Sequence, residues 1–326
     1  MTPYSEFQHA AAGYPIPGAH QETLTLIRPG ESRFFETMIK HESVHPFKHG
    51  VDELTHCRIG NADFGNLIGK GAQTDNKLTW ALVGTFQGQP ALRATLSSQL
   101  MHLPEETDGH VNPRNLPGKM NHMLETPSRR ILSPEDVNAI IFYSITNVQN
   151  DEDPASKGAG GRLITGIYDV LQQQRPMVMS TLSPFREFTD WLQKRTDNIA
   201  ALSENDLRDY ALAYVLVREN RIQNFHMGNG AVITNIWHRA NDANSLDAKR
   251  GENLSVNYVY ARSPEELATF KADYRRQGVV MMSEDLQEET LSMRVRNIRE
   301  ILRSADFTKE VAIGACPRRR LSARCG

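Results

Sequence analysis

Apolar residues follow strand and helix periods in turn through the middle of the chain. AIIFYSITNV (139–148) is apolar, β-branched and aromatic, which predicts a buried strand, and PMVMSTLSP (176–184) predicts a second one. Between them apolar residues recur at helical spacing, at Leu163, Ile164, Ile167, Val170 and Leu171. An amphipathic helix is predicted next, over FREFTDWLQKR (185–195). This order indicates a βαβ-like unit inside a mixed sheet.

Turn and cap residues predict further elements. Two β-rich runs over residues 78–103 flank the turn QGQP and indicate a hairpin. GAVITNIWHRA (230–240) and LSVNYVYAR (254–262) indicate two more strands. Helices are expected where a capping residue precedes a helical period. Such starts are Ser133 with Pro134, Ser203 with Asp206, and Ser263 for a helix ended by Gly278. Two further helices are expected from about Ser32 to His41 and over about 283–304.

The chain is expected to form one large domain over residues 35–304. Prolines and glycines in residues 1–34 indicate an irregular N-terminal arm. The polar, proline-containing stretch 104–130 is long for a connection, and such loops are often functional or mobile. Residues 305–326 end in CPRRRLSARCG, which predicts a solvated basic tail, with contact to an acidic partner as the alternative.

Composition narrows the class of protein. Of 326 residues, 39% are hydrophobic and 23% are charged, which is typical of a soluble globular protein. A formal net charge of −2 gives no electrostatic reason to expect nucleic acid as a partner. No apolar run approaches the ~18 residues of a membrane span. The N-terminal sequence lacks the basic first residues and the apolar block that make up a secretory signal peptide, so a cytoplasmic location is expected.

The cysteines and histidines predict neither disulfides nor a metal site. Cys57, Cys316 and Cys325 share no metal-ligand or redox spacing, and their odd number fits a reducing compartment. Cys57 is interpreted as a small apolar residue, with a nucleophilic thiol as the alternative. No HExxH and no paired histidine or cysteine spacing occurs among the eleven histidines.

The sequence KGAGGR (157–162) lies between a predicted strand and a predicted helix. Successive backbone N–H groups and a helix N-terminus together form a concavity that binds anions. Gly158, Gly160 and Gly161 leave room for a phosphate, and Lys157 and Arg162 add positive charge. The alternative is a flexible turn whose glycines only supply positive φ angles. The motif is neither GxGxxG nor a P-loop.

Two further residues have both a structural and a functional interpretation. Ser183 can be the N-cap of the helix predicted after it, with Pro184 in the first turn. Alternatively, its hydroxyl and the free N–H groups of that helix start stabilise a developing oxyanion. No GxSxG surrounds Ser183, so a hydrolase-type nucleophile is not predicted. His226, within NFHMGNGAV (224–232), is either a hydrogen-bonded core imidazole or a group that handles a proton.

Five stretches together resemble the catalytic domain of the malonyl-CoA decarboxylase family, whose catalytic half is similar to a GNAT acetyltransferase. In chain order they are ESVHP (42–46), IIFYSI (140–145), STLSP (180–184), NFHMGNGAV (224–232) and VNYVY (256–260). The resemblance implies an α/β (α+β) fold, a GNAT-like mixed sheet flanked by helices, with a C-terminal helical extension. It also implies that most of the family's N-terminal helical domain is absent, so the family's assembly is not carried over and the oligomeric state is not predicted.

The resemblance implies that Ser183 and His226 form a catalytic pair, and that Tyr258 lies near the acyl group. It implies that the pyrophosphate of coenzyme A binds at Lys157, Gly158, Ala159, Gly160, Gly161 and Arg162. The implied reaction converts malonyl-CoA, or a close analogue, to the acetyl thioester and CO₂. Coenzyme A is then part of the substrate, and no further cofactor is required because the thioester carbonyl accepts the electrons. The proton is expected from His226, titrating near neutrality, or from water held by Tyr258.

Departures from the family pattern leave two other functions open. FREF (185–188) replaces the family's proline and glycine, and HRANDANSLDAKRGEN (238–253) is unusually polar. These changes bear on the identity of the substrate more than on the reaction. One alternative is a decarboxylase or acyltransferase that acts on a thioester of coenzyme A or of an acyl carrier protein in specialised biosynthesis. The other is a non-catalytic protein that binds acyl-CoA.

Overall fold

The structure is a computed structural model. It describes residues 7, 10–18, 21–27, 45–46, 57–59, 62–63, 77–102, 133–148, 152–174, 177–185, 187–217, 220–238, 254–261, 263–291, 301 and 313–316. The helix predicted over 32–41, the loop 104–130, the polar segment 239–253 and most of the basic tail lie outside these residues. Two compact units are present, Met1–His102 with Thr126–Met177, and Leu103–Glu125 with Val178–Gly326.

Strands of the first unit form one antiparallel sheet and one small separate sheet. The described strands are β1 (Tyr14–Ile16), β2 (Glu22–Ile27), β3 (His45–Pro46), β4 (Cys57–Ile59), β5 (Ala62–Asp63), β6 (Lys77–Phe86), β7 (Gln89–Met101) and β8 (Ala139–Asn147). Neighbours pair antiparallel in the order β1-β2-β6-β7-β8, and β3-β4-β5 pair separately. Helix α1 (Ala159–Gln174) packs on the larger sheet through its predicted apolar residues, all of which are buried.

The hairpin prediction is confirmed, and the prediction of an irregular arm differs from the structure. β6 and β7 pair through a turn in which Gln87 and Gly88 both have positive φ, the backbone that a two-residue hairpin turn requires. In the arm, β1 and β2 are regular strands. β2 has the sequence ETLTLI, whose alternation of polar and apolar residues buries Leu24 and Leu26. This period of two is short and lies among prolines and glycines, which by themselves indicate irregular structure.

The second unit has a mixed sheet with helices on it. Its described strands are β9 (Val178–Pro184), β10 (Ala231–His238), β11 (Leu254–Tyr260), β12 (Val280–Ser283) and β13 (Ile313–Cys316). They pair in the order β9-β11-β10-β12-β13, antiparallel as far as β10 and parallel after it. The helices are α2 (Phe188–Gln193), α3 (Glu204–Val217), α4 (Arg221–Gly228), α5 (Pro264–Ala272) and α6 (Glu284–Leu291). β13 lies in the segment predicted to be a solvated tail.

Cap predictions are confirmed at two helices. Ser203 and Asp206 exchange hydrogen bonds at the start of α3, and the Ser263 hydroxyl accepts from the N–H of Glu266 in α5. Near Ser133 only a single 3₁₀ turn forms, Pro134–Asp136. Among the described helices, none is long and apolar enough to cross a membrane.

Candidate active site

The register of β9 and β11 places several hydroxyl-bearing side chains on one face of the sheet. Thr181 lies opposite Tyr258, and Ser183 lies opposite Val256. Because side chains alternate along a strand, Thr181, Ser183, Tyr258 and Tyr260 all project from the same face. The sequences STLSP and VNYVY are therefore two halves of one surface.

Helix α4 covers this face and carries His226 in its last turn. The Asn220 side chain accepts a hydrogen bond from the Gln223 N–H, which begins the helix. At the other end Gly230 has a φ of +89°, and a Cβ there would lie 2.5 Å from a methyl carbon of Leu267. The glycine lets the chain reverse tightly into β10, so NFHMGNGAV is a helix end and a turn whose geometry fixes the position of His226.

His226 lies between two hydroxyl groups. Its Nε2 is 3.0 Å from the Ser183 Oγ, and its Nδ1 is 2.8 Å from the Tyr260 hydroxyl. The Thr181 Oγ1 is 3.4 Å from the Ser183 Oγ and extends the row. Ser183 and His226 are only 7% and 4% exposed, so both are shielded from bulk water. The row Tyr260, His226, Ser183, Thr181 is a continuous chain of hydrogen-bonding groups.

Tyr258 holds the imidazole from its face. The ring centroids of Tyr258 and His226 are 4.7 Å apart and their planes differ by 28°, a stacked contact. On the opposite face of the sheet, the Ser180 hydroxyl donates to the Tyr258 carbonyl at 2.9 Å. The stacked ring of Tyr258 restricts rotation of the imidazole, so the distances to both hydroxyls are maintained.

Burial keeps the side chains of His226, Tyr258 and Tyr260 uncharged. It lowers the pKa of His226 to about 3, so the imidazole is neutral near pH 7, with one donor and one acceptor nitrogen. Burial, helped by Tyr274, Tyr260 and Tyr214, raises the pKa of Tyr258 well above its ordinary value. Burial also raises the pKa of Tyr260. The expectation that His226 titrates near neutrality therefore differs from the structure, because desolvation disfavours the imidazolium.

Ser183 does not cap a helix. It lies inside β9, and α2 begins only at Phe188 and is six residues long. The N–H of Phe185, which follows the strand, donates to the Leu254 carbonyl. The N-cap interpretation is therefore wrong, and so is the expectation that N–H groups of a helix start at Ser183 act as oxyanion donors. A donor role for the Ser183 hydroxyl itself stays a prediction.

The predicted anion-binding turn lies in the first unit. Gly158 has a φ of +71°, and its carbonyl accepts from the N–H groups of Gly161 and Arg162. Ala159 and Gly160 are the first residues of α1, so their N–H groups precede the helix's own hydrogen-bond ladder. Lys157 is exposed. Only Lys157 and Gly158 therefore precede α1, whereas residues 159–162 form its first turn, and the binding role of the segment stays a prediction.

Arg162 is engaged by the protein itself. It forms a bidentate pair with Glu22, at 2.5 and 2.7 Å, and donates to the Lys157 carbonyl at 2.8 Å. Arg93 donates at 2.9 Å to Glu22 Oε1, which also accepts from Arg162, and at 3.1 Å to Asp153. Burial alone would raise the pKa of Glu22, but hydrogen bonds from Arg162 and Arg93 outweigh it and hold the pKa below its usual range. These four side chains alternate in charge, in the order Arg162, Glu22, Arg93, Asp153, and are called the ion row below. Because Arg162 belongs to α1, the ion row fixes the start of that helix.

The structure places the His226 imidazole against both the Ser183 hydroxyl and the Tyr258 ring, which agrees with the grouping that the family resemblance implied. Sequence reasoning missed Tyr260 and Thr181. Their spacing along the strands could have identified them. Thr181 is two positions from Ser183, and Tyr260 is two positions from Tyr258, so each projects from the same face of the sheet as a predicted site residue. Within the described residues, no group of three histidine, cysteine or acidic side chains could hold a metal ion.

Comparisons with known proteins agree with the motifs. Residues 111–219 match the sequence model described as malonyl-CoA decarboxylase C-terminal domain, a segment that includes the turn and Ser183 and ends before His226. No curated protein matches the chain. The match confirms the family resemblance that the sequence predicted.

Two solved structures are similar to this one. Malonyl-CoA decarboxylase from Rhodopseudomonas palustris has a TM-score of 0.53 and 18% identity, over 82% of this chain and 62% of that one. The protein of the same name from Agrobacterium vitis has a TM-score of 0.53 and 17% identity, over 87% and 68%. This chain therefore spans less than two thirds of the Rhodopseudomonas protein. The likeness confirms the predicted fold class, a mixed sheet flanked by helices.

Proposed function

We propose that this chain, whose residues 111–219 match the malonyl-CoA decarboxylase C-terminal domain, is a carboxy-lyase that releases CO₂ from a malonyl thioester. One observation carries the proposal: a buried serine hydroxyl lies 3.0 Å from a buried imidazole, within a chain that has this family match. The substrate is malonyl-CoA or a close analogue, and the product is the acetyl thioester.

The reaction breaks the bond between the carboxylate carbon and the α-carbon. The electron pair passes into the thioester, which becomes an enolate, and the α-carbon then takes up one proton. The protein must therefore supply hydrogen bonds to the thioester oxygen as negative charge develops there, and later a proton to carbon. The thioester carbonyl accepts the electrons, so the proposal requires no electron-accepting cofactor.

Ser183 and His226 are proposed to orient the malonyl group, with the Ser183 hydroxyl as the donor to the enolate oxygen. A neutral imidazole suits this role because a buried cation would itself require stabilisation and would hold the substrate carboxylate too tightly. Tyr258 is proposed to lie beside the acyl group and to hold the water that protonates the α-carbon. Support comes from its raised pKa, which keeps the phenol protonated as a hydrogen-bond donor.

The turn of Lys157, Gly158, Ala159, Gly160, Gly161 and Arg162 is proposed to bind the pyrophosphate of coenzyme A. Support comes from the N–H groups of Ala159 and Gly160 at the start of α1 and from the exposed ammonium of Lys157. The contribution proposed for Arg162 is indirect, since its guanidinium is already paired with Glu22.

The direct test is to incubate the purified chain with malonyl-CoA, methylmalonyl-CoA, acetyl-CoA and a malonyl-acyl carrier protein, and to follow masses of substrate and product. Loss of CO₂ from a malonyl thioester is the expected result. Faster reaction on the carrier protein would make that protein the partner. Acylation of an added amine would indicate an acyltransferase. Thermal stabilisation by coenzyme A without release of CO₂ would contradict decarboxylation and favour a binding protein.

A further inference from the structure

The contacts of His226 leave one question that decides how Ser183 acts. A neutral imidazole carries its proton on only one nitrogen. If Nδ1 holds the proton, it donates to Tyr260, and Nε2 accepts from Ser183 as a base that activates a nucleophile. If Nε2 holds the proton, it donates to the Ser183 Oγ, and the serine hydrogen is free to donate elsewhere. The two arrangements share the same heavy-atom distances and differ in chemistry.

Tyr260 distinguishes the two arrangements. A phenol is more acidic than an aliphatic hydroxyl, with an ordinary pKa of about 10, so it is the stronger hydrogen-bond donor of the two neighbours. The unprotonated imidazole nitrogen is in turn a better acceptor than a phenol oxygen. The Tyr260 hydroxyl is 2.8 Å from Nδ1, shorter than the 3.0 Å contact between Nε2 and Ser183, as expected for the stronger bond.

We infer that Tyr260 is a positioning residue that donates to Nδ1 of His226 and so keeps the imidazole proton on Nε2. Nε2–H then donates to the Ser183 Oγ, and the hydroxyl of Ser183 donates in its turn. Thr181, 3.4 Å away, is its acceptor before substrate binds, and the thioester oxygen replaces Thr181 afterwards. This rests on the proposed function for the identity of the substrate, but the tautomer itself does not.

The chain of donors has a consequence for the reaction. Each hydrogen bond polarises the next one, so donation by Tyr260 and His226 makes Ser183 a stronger donor to a developing enolate. No covalent acyl-serine forms, and no proton leaves Ser183. The serine acts as a fixed donor, and the histidine acts through it.

The experiment measures the tautomer and the kinetics separately. Histidine is labelled with ¹⁵N, the His226 signals are assigned from their loss in His226→Gln, and the shifts identify the protonated nitrogen. We expect the proton on Nε2 in the unmodified protein. In Tyr260→Phe, which keeps the ring, we expect the proton to shift toward Nδ1 and kcat to fall on the order of 100-fold with KM little changed.

Tyr210→Phe is the matched control, since Tyr210 contacts Trp191 and removal of its hydroxyl leaves the row intact. A proton on Nδ1 in the unmodified protein overturns the inference, and so does a Tyr260→Phe variant with unchanged kcat. If no malonyl thioester is decarboxylated by the unmodified protein, the proposed function fails, while the ¹⁵N result still decides the role of Tyr260.

Discussion

Tyr258 and Tyr260 contact the same imidazole in two different ways. Tyr258 stacks on the ring of His226 with 4.7 Å between centroids, whereas the Tyr260 hydroxyl lies in hydrogen-bonding contact with Nδ1. The first contact holds the plane of the ring and the second holds its rotation about the Cβ–Cγ bond. Nε2 is thereby kept against the Ser183 hydroxyl, which stands on the neighbouring strand.

We expect Ser183→Ala and His226→Ala each to reduce kcat by about 10²- to 10³-fold, the usual effect of losing one donor to an oxyanion, or about 3–4 kcal/mol. Release of CO₂ from malonyl-CoA measures the effect. Ser180→Ala is the control, because it removes a buried hydroxyl from the opposite face of the same strand. Turnover near that of the unmodified protein in both variants would reject the pair.

The buried imidazole should make stability depend on pH. The unfolded chain takes up a proton on His226 below about pH 6.5, whereas the folded protein resists it until about pH 3. Stability contributed by this group is present above pH 6.5 and is lost as the pH falls. The expected loss is about 2 kcal/mol between pH 7 and pH 5. Urea unfolding of the unmodified protein and of His226→Gln at both pH values measures it, and equal losses in the two proteins would contradict it.

Glu22→Gln should destabilise the protein strongly. The substitution leaves the guanidinium groups of Arg93 and Arg162 close together without the carboxylate between them. Removing one partner from a buried ion pair typically costs about 3–5 kcal/mol. The free energy of unfolding in urea gives the cost. Glu187→Gln alters an exposed carboxylate and should change stability by less than about 0.5 kcal/mol, so similar losses in both variants would argue against the ion row.

Lys157→Ala should weaken binding of coenzyme A thioesters selectively. Loss of one charged contact to the pyrophosphate is expected to raise KM about tenfold with little change in kcat. Malonyl-pantetheine lacks the pyrophosphate, so its KM should stay the same. Lys194→Ala, at another exposed lysine, serves as the control. An equal rise in KM for both substrates would place Lys157 outside the binding turn.

Gly230→Ala should disturb the end of α4 that carries His226. The added methyl group meets a positive φ of +89° and lies 2.5 Å from a Leu267 side-chain carbon. We expect a loss of stability of about 1–3 kcal/mol and a lower kcat. Gly88→Ala provides a matched control, since its φ is +78° with open space around the Cβ. Equal losses in the two variants would mean that backbone strain alone is responsible.

Local sequence patterns determined several of the described helices and strands. The period of Leu163, Ile164 and Ile167 predicted α1, and the capping residues Ser203 and Ser263 predicted the starts of α3 and α5. These signals are reliable because an apolar face and a side-chain cap act within one or two turns of the chain. The nearness of Ser183 and His226 came from the family resemblance rather than from any local signal.

Tertiary structure decided what each side chain in the site can do. Ser-Pro after a strand fits a helix cap equally well, but in the fold Ser183 and Pro184 stay paired with β11, and α2 begins only at Phe188. His226 is neutral because α4 packs it onto β11, out of water, where charge is costly. Composition contains no information about that burial. Glu22 and Arg162 are 140 positions apart, and only the folded sheet brings their charges together.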